Sequence, residues 1–234
     1  MVRKGSKHRP RKRFGQHFLH DPGTIERIVR AIAPAAGQHI VEIGPGLGAI
    51  TLPLLSAVGE MDAIEIDRDA IRELEHRAAG YGRLTIHEGD VLEFDFAQLA
   101  GTGAPLRLVG NLPYNISTPL LFRLIDQRQH FLDMHFMLQK EVVARMAAGP
   151  GTGVYGRLTV MLAPWLDVTP LFDIGKGAFS PPPRVVSTFV RLRPYAQAPF
   201  ALDDAQAYAR VVAAAFSHRR KTLRNALKSL LTPG

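Results

Sequence analysis

A carboxamide, a stiff turn and a phenol ring fall on consecutive positions at Asn111-Leu112-Pro113-Tyr114. Together they suit a flat molecule that carries a weakly nucleophilic amine. An amine on an aromatic ring reacts poorly because its lone pair is delocalised. A protein can help by holding it in line with an electrophile and accepting its hydrogens. Asn111 offers a side-chain carbonyl. Proline, with φ fixed and no N–H of its own, stiffens the turn that aims the Leu112 carbonyl at the same amine. Tyr114 offers a face on which an extruded base can stack. No metal and no strong base are required, because the alkylated amine sheds its proton afterwards. Out of context, the same four residues read as an ordinary Asn-x-Pro turn with a core tyrosine. Phe179, beside Ser180-Pro181-Pro182-Pro183, is a second aromatic that could close the other face of the base, although a loop phenylalanine more often plugs the core.

Two further groups decide the context. Gly44-Pro45-Gly46-Leu47-Gly48 follows an apolar strand, and closely spaced glycines there let backbone approach a ligand at the start of a helix. Glu65 ends the next strand about twenty residues after Gly44, where a carboxylate can accept ribose hydroxyls. Asp90 ends the strand after that. It could bind an adenine amino group, although a lone acid there also serves as a turn residue. Gly44, Gly46 and Ala49 satisfy the loose dinucleotide fingerprint as well, so the loop alone leaves NAD and S-adenosylmethionine level. No residues for hydride chemistry follow. The Asn111 group tips the reading toward S-adenosylmethionine and methyl transfer to an amine.

These residues need a scaffold that delivers strand ends to one edge. Alternating strand and helix patterns supply it and predict an α/β fold, a Rossmann-like, mostly parallel seven-stranded sheet with helices on both faces. Strands are expected over 39–43, 61–66, 84–87, 106–109, 135–138, 168–174 and 185–192. Asp21-Pro22 is a helix start, and Ile25, Ile28, Val29 and Ile32 keep helical spacing behind it. Helices are also expected up to about residue 58, over 69–79, around Leu120 to Ile125, from Lys140 and over 155–163. Past a boundary near Tyr195 the chain turns helical, with one apolar stripe on Tyr208, Val211, Val212, Ala215 and Phe216 and another on Leu223, Ala226, Leu227 and Leu230. This divides the chain into a basic segment 1–20 that closes over the cofactor, a methyltransferase domain 21–194 and a helical RNA-binding domain 195–234.

Composition bounds the rest. A 46% apolar content is ordinary for a folded protein and argues against wholesale disorder. There is no cysteine, so disulfides and thiolate metal sites are excluded together. No membrane span is expected, and the basic N-terminus lacks the apolar stretch of a secretory signal, so a cytoplasmic protein is expected. Lys and Arg number 29 against 21 Asp and Glu, a net charge of +8, and the excess is clustered. Arg11, Lys12 and Arg13 belong to an acid-free basic opening. Arg219, Arg220, Lys221 and Arg224 sit near the other end. Clustered cations release counterions from a polyanion, so nucleic acid is the expected partner.

Six segments, in order, carry a resemblance to a known family: Arg11-Lys12-Arg13-Phe14-Gly15-Gln16-His17-Phe18-Leu19, Glu42-Ile43-Gly44-Pro45-Gly46, Asn111-Leu112-Pro113-Tyr114-Asn115-Ile116-Ser117, Gln139-Lys140-Glu141-Val142, Phe179-Ser180-Pro181-Pro182-Pro183-Arg184-Val185 and Arg219-Arg220-Lys221-Thr222-Leu223-Arg224-Asn225. From about Arg11 to Leu231 the chain resembles the ribosomal RNA adenine N6-dimethyltransferases, most of all their bacterial small-subunit branch linked to kasugamycin sensitivity. The resemblance implies conversion of two adjacent adenosines in a hairpin loop near the 3′ end of small-subunit (16S) rRNA into N6,N6-dimethyladenosines, on a pre-30S particle, by a monomer. It implies cofactor contacts at His17, Leu19, Gly44, Glu65, Asp90 and Asn111, and an acceptor pocket of Asn111, Leu112, Tyr114 and Phe179. His17 departs from the asparagine of many relatives, where its backbone could do the same work. The helical domain of the family usually runs a few helices further, so the end at Gly234 is expected to be either a truncation or a natural short form. Two other readings stay open: a large-subunit (23S) adenine methyltransferase of the macrolide-resistance type, and an assembly factor whose binding matters more than its catalysis.

Overall fold

The computed structural model describes residues 17–101, 103–218 and 221–230. The chain opens with a two-residue strand β1 (Phe18–Leu19) and helix α1 (Pro22–Ile32). It then alternates through β2 (Ile40–Ile43), α2 (Thr51–Val58), β3 (Glu60–Glu65), α3 (Arg68–Ala78), β4 (Arg83–Glu88), α4 (Ala97–Ala100), β5 (Leu106–Asn111), α5 (Ser117–Asp126) and β6 (Phe131–Gln139). Helices α6 (Lys140–Met146) and α7 (Arg157–Leu162) lead to β7 (Leu166–Ile174), the short β8 (Phe179–Ser180) and β9 (Ser187–Pro194). Helices α8 (Ala205–Ala215) and α9 (Leu223–Ala226) follow, and a 3-10 turn over Leu227–Leu230 closes the described chain.

Seven strands form one sheet in the order β4-β3-β2-β5-β6-β9-β7. The first five are parallel, and β9 runs antiparallel between β6 and β7. The central strands read as near-continuous apolar runs because both of their faces are covered. Alternation along a strand sorts their side chains between two hydrophobic clusters, Val41 and Ile43 in one and Ile40 in the other.

Asp21 caps α1 by accepting from the Thr24 N–H at 2.8 Å, with Pro22 behind it, as the sequence predicts. The other end of α1 is tied to the sheet by a buried ion pair. Arg107 on β5 donates from Nε and Nη2 to the two Asp133 carboxylate oxygens on β6, both at 2.9 Å, and from Nη2 to the Ile32 carbonyl at 2.7 Å. This fixes α1, and with it the approach of β1, relative to the parallel strands.

The expected strands over 61–66, 84–87, 106–109, 135–138, 168–174 and 185–192 appear with ends shifted by at most four residues. The last starts later, at Ser187, and the Val186 carbonyl before it accepts instead from the Lys140 N–H at 3.0 Å. The pairing of β1 with β8, Phe18 opposite Ser180 and Leu19 opposite Phe179, has no counterpart in the sequence reading. The stripe expected on α8 is only partly covered: Val212 is buried, while Val211 and Phe216 are exposed. Tyr208 anchors the helix by donating its hydroxyl to the Val160 carbonyl at 2.6 Å. Among the described residues, no helix is long and apolar enough to cross a membrane.

Candidate active site

At the C-terminal edge of β2, β3, β4 and β5 a cavity of about 280 Å³ opens, bordered by the glycine loop and by His17 to Leu19. Seven of the residues singled out from sequence line it together: His17, Leu19, Gly44, Gly46, Glu65, Asp90 and Asn111. Leu112 and Tyr114 line it as well.

The glycine loop bends at Gly44 and Gly46, whose φ angles of 65° and 54° disfavour any side chain. A Cβ on Gly44 would meet nothing within 4 Å, so its bare backbone lies open to an incoming group. A Cβ on Gly46 would stand 3.1 Å from the Phe18 ring, so that glycine lets β1 lie close over the loop. Helix α2 begins only at Thr51, three residues past Gly48.

Glu65 closes β3 with its side chain turned back. Oε1 accepts from the Ile66 and Asp67 N–H groups, each at 2.9 Å, and Oε2 accepts from the Gly46 N–H at 3.2 Å. Burial pushes this carboxyl above its usual range, and the three backbone donors work against that shift. The acid therefore staples the glycine loop to β3, and Oε2 keeps a lone pair for a hydroxyl donor. Asp90 is exposed and accepts from the Leu92 N–H at 2.9 Å through Oδ1, so it is a turn residue and a cavity residue at once.

Asn111 is oriented by the N-terminal segment. Its Nδ2 donates to the His17 carbonyl at 2.9 Å. A carbonyl only accepts, so the amide nitrogen must face His17 and the amide oxygen must face the other way. His17 is itself fixed, its Nδ1 2.8 Å from the Pro181 carbonyl and its ring 6.0 Å from that of Tyr114. The His17 backbone thus positions Asn111. The Tyr114 hydroxyl meets Ser187 Oγ at 2.9 Å, and the Pro113 carbonyl is taken by the Ile116 N–H at 3.2 Å. Leu112 is 1% exposed, which pins the backbone whose carbonyl the sequence reading assigns to the amine.

Phe179 is not among the cavity residues. It is 3% exposed in one hydrophobic cluster with Leu19, Ile174 and Phe189, and it pairs with Leu19 across β1 and β8. The core role left open in the sequence reading is the one it occupies. Arg11, Lys12, Arg13, Arg219 and Arg220 lie outside the described residues, whereas Lys221 and Arg224 are exposed at the start of α9.

Four cavity or supporting residues escaped the sequence reading. Ile66, 47% exposed, offers an apolar surface at the cavity beside Glu65. Ser187 and Pro181 hold Tyr114 and His17; the proline run is plain in sequence, but its contact with His17 is not. Glu42 did leave a signal, being an acid inside the otherwise apolar Ile40-Val41-Glu42-Ile43. It lines the cavity at 2% exposure.

An open backbone cradle at Gly44, an acid at Glu65, an apolar surface at Ile66 and a second acid at Asp90 fit a nucleoside cofactor. Glu65 and Asp90 add acidic groups to the cavity. Among the described residues, no cluster of three His, Asp or Glu could hold a metal ion. Sheet order and cavity chemistry together define a Rossmann-like methyltransferase dependent on S-adenosylmethionine.

Comparison with known proteins narrows the class. The family described as ribosomal RNA adenine dimethylase matches residues 7–234. A relative from Pseudomonas putida named ribosomal RNA small subunit methyltransferase A is 54% identical over 224 residues, 96% of this chain and 84% of its own. One of the same name from Methylococcus capsulatus is 57% identical over 225 residues, 96% of this chain and 87% of its own. The crystal structure of a dimethyladenosine transferase from Plasmodium falciparum superposes with a TM-score of 0.76 at 31% identity, over 91% of this chain and 75% of that one. The chain belongs to the ribosomal RNA adenine dimethylase family and is an S-adenosylmethionine-dependent rRNA methyltransferase.

Proposed function

We propose that the protein methylates N6 of two adjacent adenosines in the 3′-terminal hairpin loop of small-subunit rRNA, giving N6,N6-dimethyladenosine. The observation that carries this is the orientation of Asn111, whose nitrogen is committed to the His17 carbonyl and whose oxygen is thereby left for an amine. The names of relatives at 54–57% identity favour the small subunit over the large one.

When bound, S-adenosylmethionine supplies a methyl group activated by the positive sulfur. Glu65 and the open backbone at Gly44 hold the nucleoside end, with Asp90 at its base. Asn111 Oδ1 accepts one hydrogen of the adenine amine and the Leu112 carbonyl the other. This directs the nitrogen lone pair, and the proton leaves after the new N–C bond forms. Tyr114 stacks on the extruded base, its ring held by Ser187. Phe179 supports β1 from behind. We assign residues 21–194 to the catalytic domain, and residues 195–234 with the basic segment 1–20 to RNA contact. We place the protein in the cytoplasm, acting as a monomer on precursor small subunits.

The test is to incubate the protein with labelled S-adenosylmethionine and undermethylated ribosomal subunits and map the modified bases. Label on two neighbouring adenosines in the 3′ hairpin of the small subunit is expected. Label confined to large-subunit rRNA would overturn the assignment.

A further inference from the structure

Glu42 has no task in the mechanism above, yet it is among the most buried acids of the chain and it borders the cofactor cavity. Among the described residues, its Oε2 has no hydrogen-bond partner. Glu65, by contrast, has three backbone donors on its carboxylate. The strand positions beside Glu42 are Ala63 on β3 and Val109 on β5, neither of which ionises. The charged neighbour that acts on it is Glu65, whose like charge opposes ionisation, while the Thr51 hydroxyl of α2 offsets this in part. The other titratable side chains at the cavity are His17, Asp90 and Tyr114.

A buried acid with so little support for its charged form holds its proton more tightly, and an arriving positive charge works against that. The cofactor of this class brings one that pH cannot remove, on its sulfonium sulfur. Methyl transfer abolishes that charge and leaves a neutral thioether sulfur, while the ammonium and carboxylate of the amino-acid end are common to both ligands, so the sulfur is the one charge that differs. We propose that Glu42 reads this difference: it holds its proton in the protein alone, releases it to solvent when the sulfonium cofactor fills the cavity, and takes one up again once the thioether remains. The protein then tells cofactor from spent product by charge, at a site separate from the ribose and adenine contacts the two ligands share. The inference rests on the cofactor class and not on the RNA target. Burial and Glu65 push the Glu42 carboxyl up to about 7, so the exchange falls in the physiological range.

Calorimetry of the full chain at pH 7, in phosphate and in Tris, counts the protons exchanged on binding. With S-adenosylmethionine, a release of about half a proton per chain is expected, since a group with that midpoint is half protonated there. S-adenosylhomocysteine should release clearly less. Glu42→Gln should abolish the buffer dependence and reduce the preference for S-adenosylmethionine over S-adenosylhomocysteine by about tenfold, the equivalent of one pKa unit. Equal proton counts for the two ligands in the unmodified protein would overturn the proposal, whether or not the variant folds. So would an undiminished count in a folded Glu42→Gln protein, which would assign the proton to His17 or another cavity group.

Discussion

Asn111 and Tyr114 are adjacent in purpose but differ in what removing them costs. Asn111→Ala deletes an acceptor used while the amine reacts, so it should depress the chemical step more than RNA binding. Tyr114→Ala deletes a stacking face worth on the order of 1–3 kcal/mol. Tyr114→Phe keeps that face and loses the bond to Ser187, a cost of about 1 kcal/mol in stability with most activity retained. Single-turnover methylation at saturating RNA and S-adenosylmethionine separates these outcomes. A wild-type rate for Asn111→Ala would remove its role, and equal impairment of both Tyr114 variants would show that the hydroxyl outweighs the ring. Asn111 and Glu65 were legible in sequence because strand ends in such a sheet must converge on one edge, whatever the loops do. Glu42 was not, because an acid beside a glycine loop reads as part of the motif until its isolation from donors is seen. Phe179 was ambiguous for a similar reason: an aromatic beside prolines can face a ligand or the core, and only packing decides.

At the scale of elements, the piece that completes the site is the shortest one. Strand β1 has two residues, too few to show any period, and its partner β8 is 160 residues away, so nothing local predicts their pairing. The longer elements were readable because burial of both sheet faces writes itself into strand composition and helix spacing. The β1 contact has a testable weak point. Gly46→Ala adds a Cβ at 3.1 Å from the Phe18 ring, on backbone with positive φ, and should push β1 off the loop. Its expected effect is a loss of S-adenosylmethionine affinity of about tenfold or more, with the folded core intact by circular dichroism. His17→Ala removes the ring contact to Pro181 but keeps the carbonyl that holds Asn111, so it should cost less than Gly46→Ala in the same titration. The reverse order would mean that the His17 ring, not the backbone, anchors the segment.

For the molecule as a whole, two responses to solution conditions follow. Burial pushes the His135 imidazole down to about 4, against an ordinary 6.5, although Asp133 pulls the other way. The unfolded chain therefore binds more protons between these values, and stability must fall as pH drops through 6.5 toward 4. His135→Phe keeps the stack on Phe189 and removes the titration. Between pH 7 and pH 5 its denaturation midpoint should vary less than that of the parent, by the equivalent of about 2 kcal/mol. An identical acid response would place the sensitivity elsewhere. The second response is to salt. A net charge of +8 with cations at both ends predicts RNA affinity that falls steeply with ionic strength. Replacing Lys221 and Arg224 by glutamine should lower the slope of log affinity against log salt by about 1.5 and leave S-adenosylmethionine binding unchanged. An unaltered slope would make these side chains solvated helix surface. Charge was legible in sequence as a sum and as clusters, but which cations face the RNA depends on where α8 and α9 sit.

The His17 contacts join positions 94 and 164 residues apart, to Asn111 and to Pro181. A chain leaving the ribosome exposes His17 early and waits roughly ten to thirty seconds for the residues that hold it. The parallel strands from β2 to β6 can pair during that interval, yet Asn111 has no fixed amide until the last third of the catalytic sheet has been made. An unfinished chain therefore presents the glycine loop without an oriented acceptor group. Competence to methylate arrives late in synthesis, when the far end of the sheet closes back on the beginning.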